Sequence, residues 1–144
     1  MKLSVYIATT LDGFIARENG SLDWLSGSDG KIVEAQETED YGYRAFMDSV
    51  DALIMGRNTY ELVISFGDWP YEQKKVIVLS KTLKEIDDRL PTSVELRSSS
   101  SAELYEELKC MGAKHVYVDG GKTIQAFLQA GLINELTIPM AFWI

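Results

Sequence analysis

What is scarce in these 144 residues narrows the field first. There is a single cysteine, Cys110, so no internal disulfide is available and a reducing cytoplasm is the expected setting. Lys and Arg number 14 against 22 Asp and Glu, a net charge of −8. Nucleic acids and anionic membranes are bound through basic faces, so neither is expected as the main partner. No apolar stretch approaches the roughly 20 residues that span a bilayer. The N-terminus lacks a signal-peptide pattern, because Thr9, Thr10 and Asp12 break a short apolar run. No His or Cys spacing suits a metal, and there is no internal repeat, low-complexity tract or linker. Neither G-x-G-x-x-G nor G-x-x-x-x-G-K-[ST] occurs, which sets aside a standard Rossmann or P-loop reading.

What is present is one domain's worth of chain, 1–144, with 46% apolar and 25% charged residues. Strands are expected at 3–8, 52–55, 75–80, 94–96 (near an edge), 115–118 and 135–138. Helices are expected at 33–48, at 57–66 with Tyr60, Val63 and Ile64 at helical spacing, from Ser100 or Ser101 to Gly112, and from Gly120-Gly121 to Gly131. The run "KVIVLS" reads as a strand buried on both faces. Alternation of strand and helix predicts an α/β fold with a mostly parallel sheet. Residues 9–24 form a long loop with its own apolar anchors, of the kind that is functional or disordered.

Three strand ends share one pattern: Met55-Gly56-Arg57-Asn58-Thr59, Leu79-Ser80-Lys81-Thr82 and Val118-Asp119-Gly120-Gly121-Lys122-Thr123. In an open parallel sheet the carboxyl ends of strands lie along one rim, where ligands bind. Helix N-termini there present unpaired N–H groups, and glycine lets the backbone approach a phosphate. Arg57, Lys81 and Lys122 place cations at this rim of an acidic chain. The set suits a phosphorylated dinucleotide; taken singly, each turn also reads as an ordinary turn with a solvated cation.

Other residues attract plainer readings. His115 suits edge or capping duty at a strand start. Cys110, on a helix without a partner base, suits a partly buried thiol. Trp24, Trp69 and Tyr71 either line a cleft or pack beneath loops.

The segments "ATTLDGFIA", "LDWL", "VDALIMGRNTYE", "VIVLSKTL" and "VYVDGGKTIQAFL", in that order over residues 3–138, resemble the dihydrofolate reductase-like superfamily. Within it they are most similar to stand-alone relatives of the reductase domain of the riboflavin-biosynthesis deaminase–reductase. The resemblance implies a three-layer fold with helices on both faces of the sheet. It also implies NADPH as cofactor and hydride transfer to a C=N or C=O carbon of a small heterocyclic substrate, pterin-like, pyrimidine-like or from the riboflavin pathway.

By matching position, Ala8 and Ile15 would meet the nicotinamide through their backbones. Gly56, Arg57, Asn58 and Thr59 would hold phosphates, Ser80 and Lys81 the adenosine 2′-phosphate side, and Gly120, Gly121, Lys122 and Thr123 the pyrophosphate. The carboxylate that anchors the pterin in dihydrofolate reductases falls on Asp40, which is also readable as part of a solvated acidic run. Asp12 is the second candidate, and it also suits a turn-stabilising role.

Family members usually continue into a C-terminal hairpin, whereas here the chain reaches Phe142-Trp143-Ile144. A homodimer that covers this edge is therefore expected. The alternative is a catalytically impaired nucleotide-binding or scaffold protein that keeps the fold. A flavodoxin-like regulator is a third reading, to be separated by strand order.

Overall fold

Aliphatic runs without a polar break build strands that are covered on both faces. The computed structural model describes residues 1–6, 9–10, 43–137 and 140–141. Its elements are β1 (Lys2–Tyr6), β2 (Thr9–Thr10), α1 (Tyr43–Ser49), β3 (Ala52–Gly56), α2 (Arg57–Ser65), β4 (Lys75–Leu79), β5 (Val94–Arg97), α3 (Ser101–Cys110), β6 (His115–Asp119), α4 (Gly121–Gln129), β7 (Glu135–Thr137) and β8 (Met140–Ala141). Six strands form one sheet in the order β5-β4-β3-β6-β1-β7, and every pairing in it is parallel. The short β2 and β8 pair with each other, also in parallel.

Successive residues of a strand serve opposite faces. Leu3, Val5, Ala52, Ile54, Ile77, Val116 and Val118 meet Leu104 and Leu108 of α3 and Ile124 and Phe127 of α4. Leu53, Met55, Val76, Val78 and Tyr117 meet Tyr60 and Val63 of α2, and Phe46 and Met47 of α1 pack on the same cluster. The result is the three-layer α/β architecture, helices on both faces of a parallel sheet.

Connectivity decides where a ligand fits. After β3 the chain runs through α2 to β4, toward one edge; after β6 it runs through α4 past β1 to β7, toward the other. β3 and β6 are neighbours in register, with Met55 opposite Asp119. The chain thus leaves their carboxyl ends in opposite directions, which opens a crevice between them.

The opposite, amino end of the sheet is tied by polar groups. The His115 Nε2 atom lies 2.7 Å from Ser4 Oγ, and His115 Nδ1 lies 3.2 Å from the Ser49 carbonyl. Asp51 accepts from the amides of Lys114 and His115 at 2.9 and 3.2 Å. Lys74 Nζ donates to the Met47 and Val50 carbonyls at 2.6 and 2.7 Å, satisfying acceptors left open at the end of α1.

Some boundaries differ from the sequence expectation. Of the 33–48 segment, 43–49 is helical and 33–42 lies outside the described residues. The first strand is described as Lys2–Tyr6, and the last full strand ends at Thr137. β5 is indeed an edge strand, but His115 opens a central one. Cys110 is exposed rather than partly buried. It stands two residues past Leu108, so it points about 200° away from the buried Leu104–Leu108 stripe.

Candidate functional site

The crevice between β3 and β6 is a groove of about 490 Å³ lined by Gly56, Arg57, Asn58, Thr59, Leu79, Thr82, Gly120, Gly121, Lys122, Thr123 and Ala126. That volume lies in the range of small-molecule sites. Two of its lining side chains are cationic and none is a carboxylate. On a chain of net charge −8, this is a local reversal of sign.

The groove exists because two turns interlock. A methyl group placed on Gly56 would stand 2.5 Å from Thr123 Oγ1 of the other turn; one placed on Gly120 would stand 2.6 Å from Thr59 Oγ1 of the first. Each glycine therefore lies against the other turn's threonine hydroxyl, and a side chain at either position would push the turns apart. The two glycines are not equivalent. Gly56 has φ −86°, open to any residue, whereas Gly120 has φ 96°, which only glycine adopts without strain.

The helix starts at the groove are also unlike the one remote from it. Ser100 caps α3 by accepting the Glu103 amide at 3.2 Å. Gly56 and Gly120 are the N-caps of α2 and α4, and neither supplies a side-chain cap. The first-turn amides of these two helices are left for another acceptor, and an anion is the natural one.

Arg57 is held at two points. Its Nε donates to Glu61 Oε1 at 2.8 Å and its Nη1 to Thr82 Oγ1 at 3.0 Å. Ser80 is spent on the loop itself: its Oγ accepts the amides of Thr82 and Leu83 at 3.2 and 3.0 Å. Ser80 and Lys81 are absent from the groove lining, and Thr82, which the sequence placed in the same turn without a ligand role, takes that side of it. Ala8, Asp12, Ile15 and Asp40 lie outside the described residues, as does Trp24. His115 is at the far end of β6 from the groove. Trp69 packs edge-on against the buried Tyr71, their ring centres 5.1 Å apart, as a cover over the α2 side of the sheet. Among the described residues no group of His, Cys, Asp and Glu could hold a metal.

Sequence reasoning passed over Asp119 as a chemical group. It ends β6 directly before Gly120, whose amide donates to its Oδ1 at 2.8 Å. Burial pushes its carboxyl above the ordinary aspartate range, against the lowering effect of that amide. Around it are phenols from three elements: Tyr43 of α1, Tyr71 of the turn before β4, and Tyr117 of β6. All three are pushed up by burial and then by the Asp119 charge. The Tyr117 hydroxyl donates to the Tyr6 carbonyl at 3.0 Å. The only sequence signal was "VDGG", a carboxylate abutting the glycine pair.

With this geometry established, comparison with known proteins is informative. Residues 1–141 match the family model of the RibD C-terminal domain. The chain belongs to that family. It is 31% identical over 141 residues to "Uncharacterized protein YwjB" of Bacillus subtilis (strain 168), covering 96% of this chain and 75% of the relative. The solved "Putative riboflavin biosynthesis protein" of Shewanella sp. PV-4 superposes with a TM-score of 0.85 at 42% identity, over 100% of this chain and 78% of the other. The diaminohydroxyphosphoribosylaminopyrimidine deaminase/5-amino-6-(5-phosphoribosylamino)uracil reductase of Thermotoga maritima shares the fold, with a TM-score of 0.57 and 20% identity over 90% of this chain and 42% of the other. The fold is thus that of the RibD C-terminal, dihydrofolate reductase-like domains.

Two outcomes follow from the site. Gly56→Ala destabilises the chain in urea titration, and Thr123→Ala in the same chain restores stability, because only the hydroxyl contact is at fault. Gly120→Ala with Thr59→Ala stays roughly 1–2 kcal/mol below Thr59→Ala alone, because the positive φ remains. Failure of Thr123→Ala to rescue Gly56→Ala contradicts the interlock, and equal rescue of both pairs contradicts the backbone cost at Gly120. For Asp119, the folded chain binds the proton more tightly than the unfolded one. Wild-type stability therefore falls as pH rises from about 4, where an unfolded aspartate titrates, through the higher folded value. Asp119→Asn carries no such proton, so its stability relative to wild type climbs over that window and then levels off. A difference constant from pH 4 to 8 contradicts the burial effect.

Proposed function

We propose that this chain is an NADPH-dependent reductase that adds hydride to a C=N or C=O carbon of a small heterocyclic or sugar-linked substrate. The observation that carries the reading is the interlocked pair of glycine turns, a carboxylate-free and cation-bearing groove at the point where the sheet's connections diverge. A polyanionic dinucleotide fits it: the uncapped amides of α2 and α4 meet phosphate oxygens, Arg57 and Lys122 neutralise them, and the missing Cβ atoms at Gly56 and Gly120 keep the two turns close. Asn58, Thr59, Gly121 and Thr123 complete the cradle, Ser80 and Lys81 border it beyond β4, and the backbones at Ala8 and Ile15 would meet the nicotinamide.

The chemistry NADPH supplies when bound is a hydride for an electrophilic carbon. The chain's own task is to orient both reactants and to manage one proton. When hydride reaches the carbon of a C=N or C=O bond, the heteroatom takes up a proton. In this reading the Asp119 carboxyl at the end of β6 supplies it, with the Gly120 amide on its Oδ1 and the Tyr117 side chain bonded to the same carboxyl. Burial raises this carboxyl above the ordinary aspartate range, the direction a proton donor needs. The aromatic company of Tyr43, Tyr71 and Tyr117 suits a flat ring. The name of the Thermotoga protein points to a ribosylated pyrimidine, a substrate class we extend to this chain as part of the proposal.

The test is a titration of NADPH into the chain, following quenching of its tryptophan fluorescence. Saturable binding well below about 100 μM, a weak limit for a nucleotide site, is expected, followed by NADPH oxidation with a ribosylaminopyrimidine or pterin. Absence of binding at 100 μM removes the reading.

A further inference from the structure

Resting on that reading, we infer that Thr82 is a specificity-determining positioning residue: it fixes the Arg57 guanidinium at the β4 side of the groove to receive a phosphomonoester dianion, the group that distinguishes NADPH from NADH. The Arg57 side chain is 44% exposed. An arginine so exposed ordinarily samples many rotamers, and ordering it costs side-chain entropy. Here two of its five N–H donors are engaged on different edges, Nε by Glu61 and Nη1 by Thr82, across turns 25 residues apart in sequence. The Glu61 contact lies within α2, one turn along, and ties the stem of the side chain to its own helix. The Thr82 contact comes from the neighbouring strand's turn and sets the direction of the fork.

Thr82 is itself held in place. Its amide donates to Ser80 Oγ at 3.2 Å, its hydroxyl lies 3.3 Å from the same oxygen, and the Ser80 amide donates to the Arg97 carbonyl of β5 at 2.9 Å. The acceptor for Arg57 is therefore anchored to the sheet. It is also neutral, so it orients the cation without cancelling its charge. Both Arg57 and Thr82 line the groove, and three guanidinium N–H groups remain beyond the two already used. A fork held in this way presents paired donors to a phosphate without a further ordering cost.

The test compares 2′,5′-ADP with AMP, which differ only in the 2′-phosphate, by calorimetric titration of the full chain. Wild type is expected to prefer 2′,5′-ADP. Thr82→Val keeps the shape and removes the acceptor, and it is expected to weaken 2′,5′-ADP by roughly 5–20-fold while leaving AMP unchanged. Thr82→Ser, which restores a hydroxyl, is expected to bind both ligands within about twofold of wild type, a change of about 0.4 kcal/mol or less. Thermal melts confirm that the variants fold. Undiminished 2′,5′-ADP binding by Thr82→Val overturns the inference, and so does an equal loss of both ligands or a failure of Thr82→Ser to recover. Wild type binding both ligands equally overturns it while leaving a nucleotide groove in place. Wild type binding neither takes the proposed function with it.

Discussion

The site depends on two backbone turns approaching more closely than any side chain allows. Gly56 lies against Thr123 and Gly120 against Thr59, each with no room for a Cβ. That contact lets β3 and β6 end side by side while α2 and α4 depart in opposite directions, each offering its first turn of amides to the same space. Were the two turns spread by side chains, the amides would diverge and no longer face one shared space. Close approach and helix polarity thus act together: the first places the donors and the second gives them their sign.

An acidic chain proposed to bind an anion must manage its own repulsion. At physiological salt, charges farther apart than about 8 Å are largely screened, so the composition of the groove matters more than the total of −8. The lining carries Arg57 and Lys122 and no carboxylate. Two carboxylates at these turns are engaged: Glu61 holds the stem side of Arg57, and Asp119 accepts the Gly120 amide. Burial raises the Asp119 carboxyl above the ordinary aspartate range, so the folding that builds the groove also makes a full negative charge there less favourable.

Much of this was legible in the sequence, for identifiable reasons. The aliphatic run within 75–80 reads as a strand buried on both faces, 52–55 reads as a strand, and the parallel sheet follows from the alternation of strands with helices. The glycine turns were visible as strand-end punctuation. What could not be read is any relation that depends on which turn faces which. Thr59 and Thr123 were legible only as members of the two phosphate turns; their meeting with glycines 61 and 67 residues away is a product of register between β3 and β6. Ser80 was matched by resemblance to the adenosine 2′-phosphate side, but its hydroxyl accepts amides of its own loop, and Thr82 emerges only because Arg57 reaches across from α2. Asp119 was hidden in the glycine motif, since its setting is supplied by tyrosines from three separate elements.

The most direct test of the account is an amide-resolved NMR titration of the isotope-labelled chain with NADPH. The largest shift changes are expected at the amides of residues 56–59 and 120–123 together, saturating with a single affinity. Saturable shifts confined to other parts of the sheet, or to one turn without its partner, would contradict it.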